Sequence, residues 1–472
     1  MKKTKIIGTI GDKNNDVKTL EEMINLGVDV FRINLSYIDL DLCDTLIKNI
    51  RLASKNVKKI VGIMLDLDGP SIRIDKLIEN EAYLELGDTI RIYNYHVVCN
   101  NTQISTNCNN LVELVNKSDI IIIGHGDVKL KVEEINSDNF VCEVVDAGFI
   151  KSNQVVHIKS SYMDLSFISS KDKESIMYAI KQDVDFLALS YVRDEQDVLS
   201  VIDMLIENEN DHIGIISKIE TEDAFLNIDE ILKVSDGVMV SRGDLGINTE
   251  IEKLPYLQKE ILKKANSYQK IGLVSTNFLK SMVKEKIPSR GEVTDIYNAV
   301  FDKADGLVLT DETTIGEHSL ESITLMSKIL SEAELHFDYK ENLEDTLKHG
   351  KLDVTSTISY SVVDSGILLN ASCILANTIS GYTARKISYF RPMSPILGLS
   401  PDKKTLRSLT LNYGVTPVLI KKYDDSESIV TECVNKYKEI TDYKIGDIVI
   451  ITGGLPISTK NTDFMKIEKI VD

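Results

Sequence analysis

The sequence predicts a (β/α)8 TIM barrel with two additions, an inserted small β domain and a C-terminal α/β domain. Three observations predict it. Eight short apolar runs recur along the chain, at 5–10, 28–34, 60–66, 184–190, 213–217, 236–240, 271–275 and 305–310. They are continuous rather than alternating, as suits parallel strands buried on both faces. Helix-period segments such as DVKTLEEMINLG and EVTDIYNAVFDKA lie between most of them, and eight βα units in succession suit a closed barrel.

The alternation breaks once. Between about residues 75 and 160 the texture becomes short alternating strands with turn signals, YLELGDTIRIYNY, IIIGHGDVKLKVEEI and FVCEVVDAG. This is the pattern of a small β domain inserted after the third barrel strand. After residue 338 a polar helical stretch leads to a fresh α/β pattern, CILANTI, PILGLS, VTPVLI and DIVIIT. The expected organisation is a barrel built from 1–74 and 161–337, an insert over 75–160, and a C-terminal α/β domain over 338–472.

Size and charge bound the function. At roughly 150 residues per domain, 472 residues suit about three domains, and 43% hydrophobic with 27% charged residues is ordinary globular usage. Acidic residues outnumber basic ones, 73 to 54, for a formal charge of −19. Such a chain is a poor candidate for wrapping nucleic acid or docking on an anionic membrane, yet it can bind a phosphorylated metabolite where its basic side chains converge. The six cysteines form no CxxC pair and read as reduced thiols of a cytoplasmic protein. The opening MKKTKIIGTIGDK imitates a signal peptide, but its apolar stretch is too short. No apolar run approaches the length of a membrane span.

In a barrel, chemistry gathers past the C-terminal ends of the strands. Strand two leaves through Arg32, Asn34 and Ser36, and strand three through Asp66, Leu67, Asp68, Gly69 and Pro70, then Arg73. Strand four ends in Ser190-Tyr191 and Arg193, strand five in Lys218-Ile219-Glu220, and strand six in Arg242-Gly243-Asp244. Strand seven ends in Ser275-Thr276 and strand eight in Asp311-Glu312-Thr313. Taken singly, each is weak, since a carboxylate after a strand is commonly a helix N-cap. Seven successive exits carrying polar or charged groups are a site. Glu220 and Asp244, from adjacent strands, are oxygen ligands of the type Mg²⁺ takes. Cations, an acid pair and a Gly-Asp turn together suit phosphoryl transfer.

On these residues the sequence resembles pyruvate kinase nearly end to end. The matching segments are TKIIGTIG, DVFRINLS, LDLDGPSIR, SKIET, VSRGDLG and STNFLKSM, then SGYTARKISYFRP and GDIVIITGGLP. The resemblance implies that the insert is a small β-barrel lid and that the reaction converts phosphoenolpyruvate and ADP to pyruvate and ATP. It implies that Arg32 contacts the transferring phosphoryl group and that Lys218 stabilises it in flight. Glu220 and Asp244 would hold Mg²⁺ or Mn²⁺, while Asn34, Ser36, Asp66 and the carbonyl of Leu67 would hold K⁺. The Gly243 and Asp244 amides and Thr276 would hold the substrate carboxylate, with Ser190 beside them. Arg73 and Lys171, with Asn34, would meet the nucleotide. A homotetramer is implied, with an effector loop at Thr378, Ser380, Gly381, Tyr382 and Thr383, and Lys460 and Asp463 near it.

The departures cluster at the nucleotide and cation rim. Tyr37 stands where histidine is common, and Asp68 and Ser71 stand where lysine and glutamate are usual. Thr310-Asp311-Glu312-Thr313 and Ile315 alter the loop after strand eight, and Ser160, Ser161 and Ser166 replace the usual approach to Lys171. Asp68 adds negative charge near the expected ADP phosphates, which predicts weak nucleotide affinity. Ser71 leaves the K⁺ requirement open. The competing expectation is a non-catalytic relative that binds ligands or acts as a regulatory subunit.

Overall fold

The computed structural model describes the chain apart from Met1, His125, 159–165, 350–352, Asp424, 455–461 and Asp472. Eight parallel strands close into a barrel in the spatial order one, eight, seven, six, five, four, three, two. In chain order they are Lys5–Thr9, Val30–Asn34, Gly62–Asp66, Phe186–Leu189, Gly214–Ile219, Gly237–Ser241, Ile271–Ser275 and Gly306–Leu309. All eight apolar runs are therefore barrel strands, with ends shifted by a residue or two.

The period of two along these strands builds the interior in layers. Ile7, Val30, Met64, Ala188, Ile216, Met239, Leu273 and Val308 form one apolar layer. Two residues further along, toward the C-terminal ends, stand Thr9, Arg32, Asp66, Ser190, Lys218, Ser241, Ser275 and Thr310. Each strand thus switches from apolar to polar at one level, and that level is the floor of the site.

The N-terminal end of the barrel is closed by the C-terminal domain. Leu411 joins the interior apolar layer, and Gly62 lies so close that a Cβ there would stand 2.5 Å from Thr410 Oγ1. Polar contacts seal the junction. Arg407 pairs with Asp183 and Asp185, Lys5 Nζ donates to the Val415 carbonyl at 2.6 Å, and Arg391 pairs with Asp305.

The C-terminal sheet has five strands, in the order Val415–Leu419, Ile396–Ser400, Cys373–Asn377, Ile448–Gly453, Phe464–Lys469. The four expected runs are its parallel strands. The fifth, antiparallel to its neighbour, was not expected from the sequence, because its side chains are mostly exposed and present no apolar run.

Between barrel strands three and four lie a six-stranded sheet and a two-stranded sheet that share one apolar core, including Leu84, Ile90, Phe140 and Ile150. Its stem is a bridge between Arg73 and Val155. All six cysteines are buried free thiols. Among the described residues no helix is long and apolar enough to cross a membrane.

Candidate active site

The polar level of the barrel is wired as one chain of charges. Arg32 Nε donates to Asp66 Oδ2 at 2.6 Å and its Nη1 to Thr9 Oγ1 at 3.1 Å. Lys218 Nζ donates to Asp66 Oδ1 at 3.3 Å and to Ser190 Oγ at 2.8 Å, and it lies 3.0 Å from Glu220 Oε1. Ser190 Oγ in turn donates to the Leu67 carbonyl at 2.7 Å. Burial would lower the Lys218 pKa, but Asp66 and Glu220 outweigh that and hold it above the ordinary lysine value. A desolvated, fully charged ammonium therefore stands at the strand exits. Asp66 is held ionised in the same way, with Arg32 and Lys218 overcoming its burial.

Glu220 and Asp244 face each other across strands five and six, as expected, but Asp244 is not on a turn. It lies in the first turn of a short helix, Arg242–Asn248, where Ser241 Oγ donates to its Oδ2 at 3.2 Å. A carboxylate there is favoured by the helix N-terminus. Burial, and then the Asp244 charge, push the Glu220 pKa up against the pull of Lys218. Glu220 Oε1 is buried, with Lys218 Nζ 3.0 Å away. A buried carboxylate under the charge of a second carboxylate is the chemistry a divalent cation completes. Among the described residues no group of three or more His, Cys, Asp or Glu is placed to hold a metal ion.

On the far side of Asp244, the Gly243 N–H donates to Thr276 Oγ1 at 2.8 Å, and Thr276 Oγ1 donates to the Ser275 carbonyl at 2.6 Å. Three non-glycine residues at these exits have left-handed backbones, Tyr191 at φ 55, Thr276 at φ 75 and Asn277 at φ 59. For a β-branched threonine this is a strained conformation, of the kind that clusters at functional sites.

The opposite rim joins Asn34, Ser36, Leu67, Asp68, Ser71, Arg73 and Lys171. Asn34 Oδ1 accepts the Ser36 N–H at 3.1 Å. Asp68 is the hub of this rim. Its Oδ1 accepts from Ser36 Oγ at 2.7 Å, Ser71 Oγ at 3.2 Å and Arg73 Nη2 at 2.8 Å, and its Oδ2 accepts from Lys171 Nζ at 3.0 Å. The negative charge that the sequence places at Asp68 thus stands among cationic and hydroxyl partners. Burial would raise its pKa, but Arg73, Ser36 and Lys171 lower it further, and its charge is matched by two cations.

Other expected groups fall elsewhere. Arg193 pairs with Asp197, Glu312 accepts the Leu279 and Thr310 amides, and Arg242 pairs with Asp295 while its Nη2 donates to the Thr276 carbonyl at 2.6 Å. In the C-terminal domain Gly381, at φ 82, caps the helix Tyr382–Tyr389 without a side-chain hydrogen bond. Thr378 and Thr383 are buried, and the Thr383 hydroxyl meets that of Thr462 at 2.8 Å, leaving Ser380 and Tyr382 at the outer face of the loop. The loop that the resemblance implies for an effector is thus only partly presented to solvent. Ser160, Ser161 and Lys460 lie outside the described residues.

Comparison with known proteins gives the family. The family model described as pyruvate kinase, barrel domain, matches residues 1–323, and the one described as pyruvate kinase, alpha/beta domain, matches residues 356–468.

The chain belongs to the pyruvate kinase family.

The pyruvate kinase of Thermotoga maritima is 36% identical over 470 residues, spanning 100% of both chains. That of Clostridium perfringens is 34% identical over 475 residues, again spanning 100% of both. A crystal structure of a pyruvate kinase from Cryptosporidium parvum superposes with a TM-score of 0.91 at 32% identity, covering 99% of this chain and 96% of that one. Within this pyruvate kinase scaffold, Tyr191, named from the sequence only as a residue of the strand-four exit, takes a part that the sequence did not assign to it. Its N–H donates to Glu220 Oε2 at 2.7 Å and its hydroxyl to Asp244 Oδ1 at 3.1 Å. The signal that would have found it is its left-handed backbone, which one sequence does not display.

Proposed function

We propose that the protein transfers the phosphoryl group of phosphoenolpyruvate to ADP, giving pyruvate and ATP, and that Lys218 is its central catalytic group. The observation that carries this is the charge chain Arg32–Asp66–Lys218–Glu220 at the barrel exits, with Lys218 buried and held protonated.

The phosphorus–oxygen bond to the enol breaks as a β-phosphate oxygen of ADP takes the phosphoryl group. The enolate left behind then gains a proton on its methylene carbon. Little covalent work is asked of the protein, so positioning and charge stabilisation carry the rate. Arg32 and Lys218 face the phosphoryl oxygens, where the Lys218 ammonium meets the charge that spreads as the group leaves. The Gly243 and Asp244 amides receive the carboxylate, with Thr276 Oγ1 fixed against Gly243 N at 2.8 Å. Thr276 then stands near the carbon that is protonated.

Glu220 and Asp244 would hold Mg²⁺ or Mn²⁺, which when bound lowers the cost of the developing enolate by drawing on its oxygen. Asn34, Ser36, Asp66 and the Leu67 carbonyl would hold K⁺ at the neighbouring corner. Ser190, which hydrogen-bonds Lys218, keeps that ammonium aimed at the substrate. The same reading carries a homotetramer and an effector loop around Ser380 and Tyr382.

The test is steady-state pyruvate formation by the purified protein with phosphoenolpyruvate, ADP and Mg²⁺, with and without K⁺, beside Lys218→Met. Activity that disappears in Lys218→Met is the expected result, and its K⁺ dependence reads the cation corner directly. A folded protein inactive with every cation and nucleotide would replace this reading with the non-catalytic one.

A further inference from the structure

We propose that Asp68 is a built-in stand-in for a nucleotide phosphate, an internal carboxylate that occupies Arg73 and Lys171 until ADP displaces it. The inference rests on the reading of Arg73 and Lys171 as the cations that meet the nucleotide phosphates.

Both oxygens of Asp68 are spent on those two cations. Oδ1 takes Arg73 Nε at 3.1 Å and Nη2 at 2.8 Å, and Oδ2 takes Lys171 Nζ at 3.0 Å. One edge of the guanidinium is thereby closed, the edge a phosphate would use. Two hydroxyls fix the carboxylate in this pose. Ser36 Oγ and Ser71 Oγ donate to Oδ1 at 2.7 and 3.2 Å, and Ser71 Oγ also accepts from Arg73 Nε at 3.1 Å. Ser71 is small enough to sit inside this cluster, so the two unusual residues of the loop act as one device.

The rest of Arg73 is tied down independently. Its Nη1 donates to the Asn153 carbonyl at 3.0 Å, and Asn153 Nδ2 donates to the Ser36 carbonyl at 3.4 Å. Displacing Asp68 therefore does not release the guanidinium into solvent. An incoming phosphate meets a cation already positioned against the stem of the insert. The side chains of Asp68 and Arg73 are 14% and 9% exposed while Lys171 is 53% exposed. Lys171 is the end of the cluster that solvent and nucleotide reach first.

A nucleotide must break these contacts before making its own, so its affinity is reduced by the worth of the internal pairs. Losing a few charge-assisted hydrogen bonds, partly offset by those regained, corresponds to about tenfold in affinity. Salt screens the internal and external pairs alike, so the wild-type affinity for ADP should depend only shallowly on ionic strength.

The experiment is equilibrium binding of ADP, with Mg²⁺ and K⁺ held constant, to the full-length wild type, Asp68→Asn, Asp68→Glu and Ser71→Ala, repeated at two concentrations of tetramethylammonium chloride. Asp68→Asn should bind ADP about tenfold more tightly and with a steeper salt dependence. Asp68→Glu, which keeps the charge, should stay near wild type. Ser71→Ala withdraws one donor from the carboxylate and should gain by a smaller factor, a readout that survives if Asp68→Asn does not fold.

Unchanged or weaker binding in Asp68→Asn overturns the inference, as does a larger gain in Asp68→Glu than in Asp68→Asn. Pyruvate formation by the wild type separates the two readings. An active wild type with no gain in Asp68→Asn sinks the stand-in alone, whereas an inactive wild type with a clear gain sinks the proposed reaction and leaves the stand-in.

Discussion

Tyr191 donates its phenolic hydrogen to Oδ1 of Asp244 at 3.1 Å while its backbone N–H is given to Oε2 of Glu220 at 2.7 Å. One buried residue, held in a left-handed backbone at φ 55, thus touches both carboxylates of the proposed metal pair. Groups that orient ligating carboxylates typically change metal affinity by about 10- to 100-fold when lost.

Tyr191→Phe keeps the ring and the N–H but removes the hydroxyl, and it should weaken Mn²⁺ binding about tenfold. Mn²⁺ binding followed by electron paramagnetic resonance on the substrate-free protein reads this without turnover. A melting temperature within a few degrees of wild type would assign the loss to the hydroxyl rather than to packing. Unchanged Mn²⁺ affinity would leave Tyr191 as a core residue only.

The floor of the site was legible in the sequence because two simple periods coincide there. The barrel strands alternate with period two, and the apolar member of each inward series is followed two residues on by a polar one, as in Val30–Arg32, Met64–Asp66 and Ile216–Lys218. Reading strand exits therefore recovers Arg32, Asp66 and Lys218. Features that depend on long-range pairing were not legible. The sequence displays Asp68 as a bare charge, since its partner Lys171 lies 103 residues away. Arg242 looks like a site cation until Asp295, 53 residues away, is seen to take it. The strand Phe464–Lys469 was missed because it lies at a sheet edge with mostly exposed side chains.

Gly69 ties the shape of the third-strand loop to the position of Lys218. Its φ is +69°, and a Cβ there would stand 2.6 Å from the Ser190 carbonyl oxygen and 3.0 Å from Ser190 Cβ. Ser190 Oγ is the donor to Leu67 O and the acceptor for Lys218 Nζ, so any shift of Ser190 reaches the catalytic ammonium. Gly69→Ala should cost about 1–3 kcal/mol in stability. Because sub-ångström to ångström displacements at reacting groups are costly, kcat should fall by about tenfold or more. Measuring kcat and melting temperature together checks the coupling. Loss of stability with kcat intact would show that Ser190 does not position Lys218.

Arg391 bears on stability rather than chemistry, and its effect carries a definite pH sign. Its side chain is 2% exposed, its Nη1 donates to Asp305 Oδ1 at 2.7 Å and to the Lys303 carbonyl at 2.9 Å, and its Nη2 donates to the Ala304 carbonyl at 2.7 Å. The guanidinium also lies 3.8 Å over the Tyr413 ring. Removing one partner of such a pair leaves the other charge buried, at about 3–5 kcal/mol. Burial already holds the Asp305 carboxyl above its ordinary value despite the opposing pull of Arg391. A carboxyl raised in the folded state binds its proton more tightly there, so its contribution is present at acid pH and is lost as pH rises through the folded value. Without Arg391 the folded value climbs further. The deficit of Arg391→Met against wild type should therefore widen between about pH 5 and pH 8. Urea denaturation at both pH values, followed by circular dichroism, measures it. A deficit equal at the two pH values would mean that Asp305 escapes to solvent when Arg391 is lost, and that the junction of barrel and C-terminal domain does not depend on this pair.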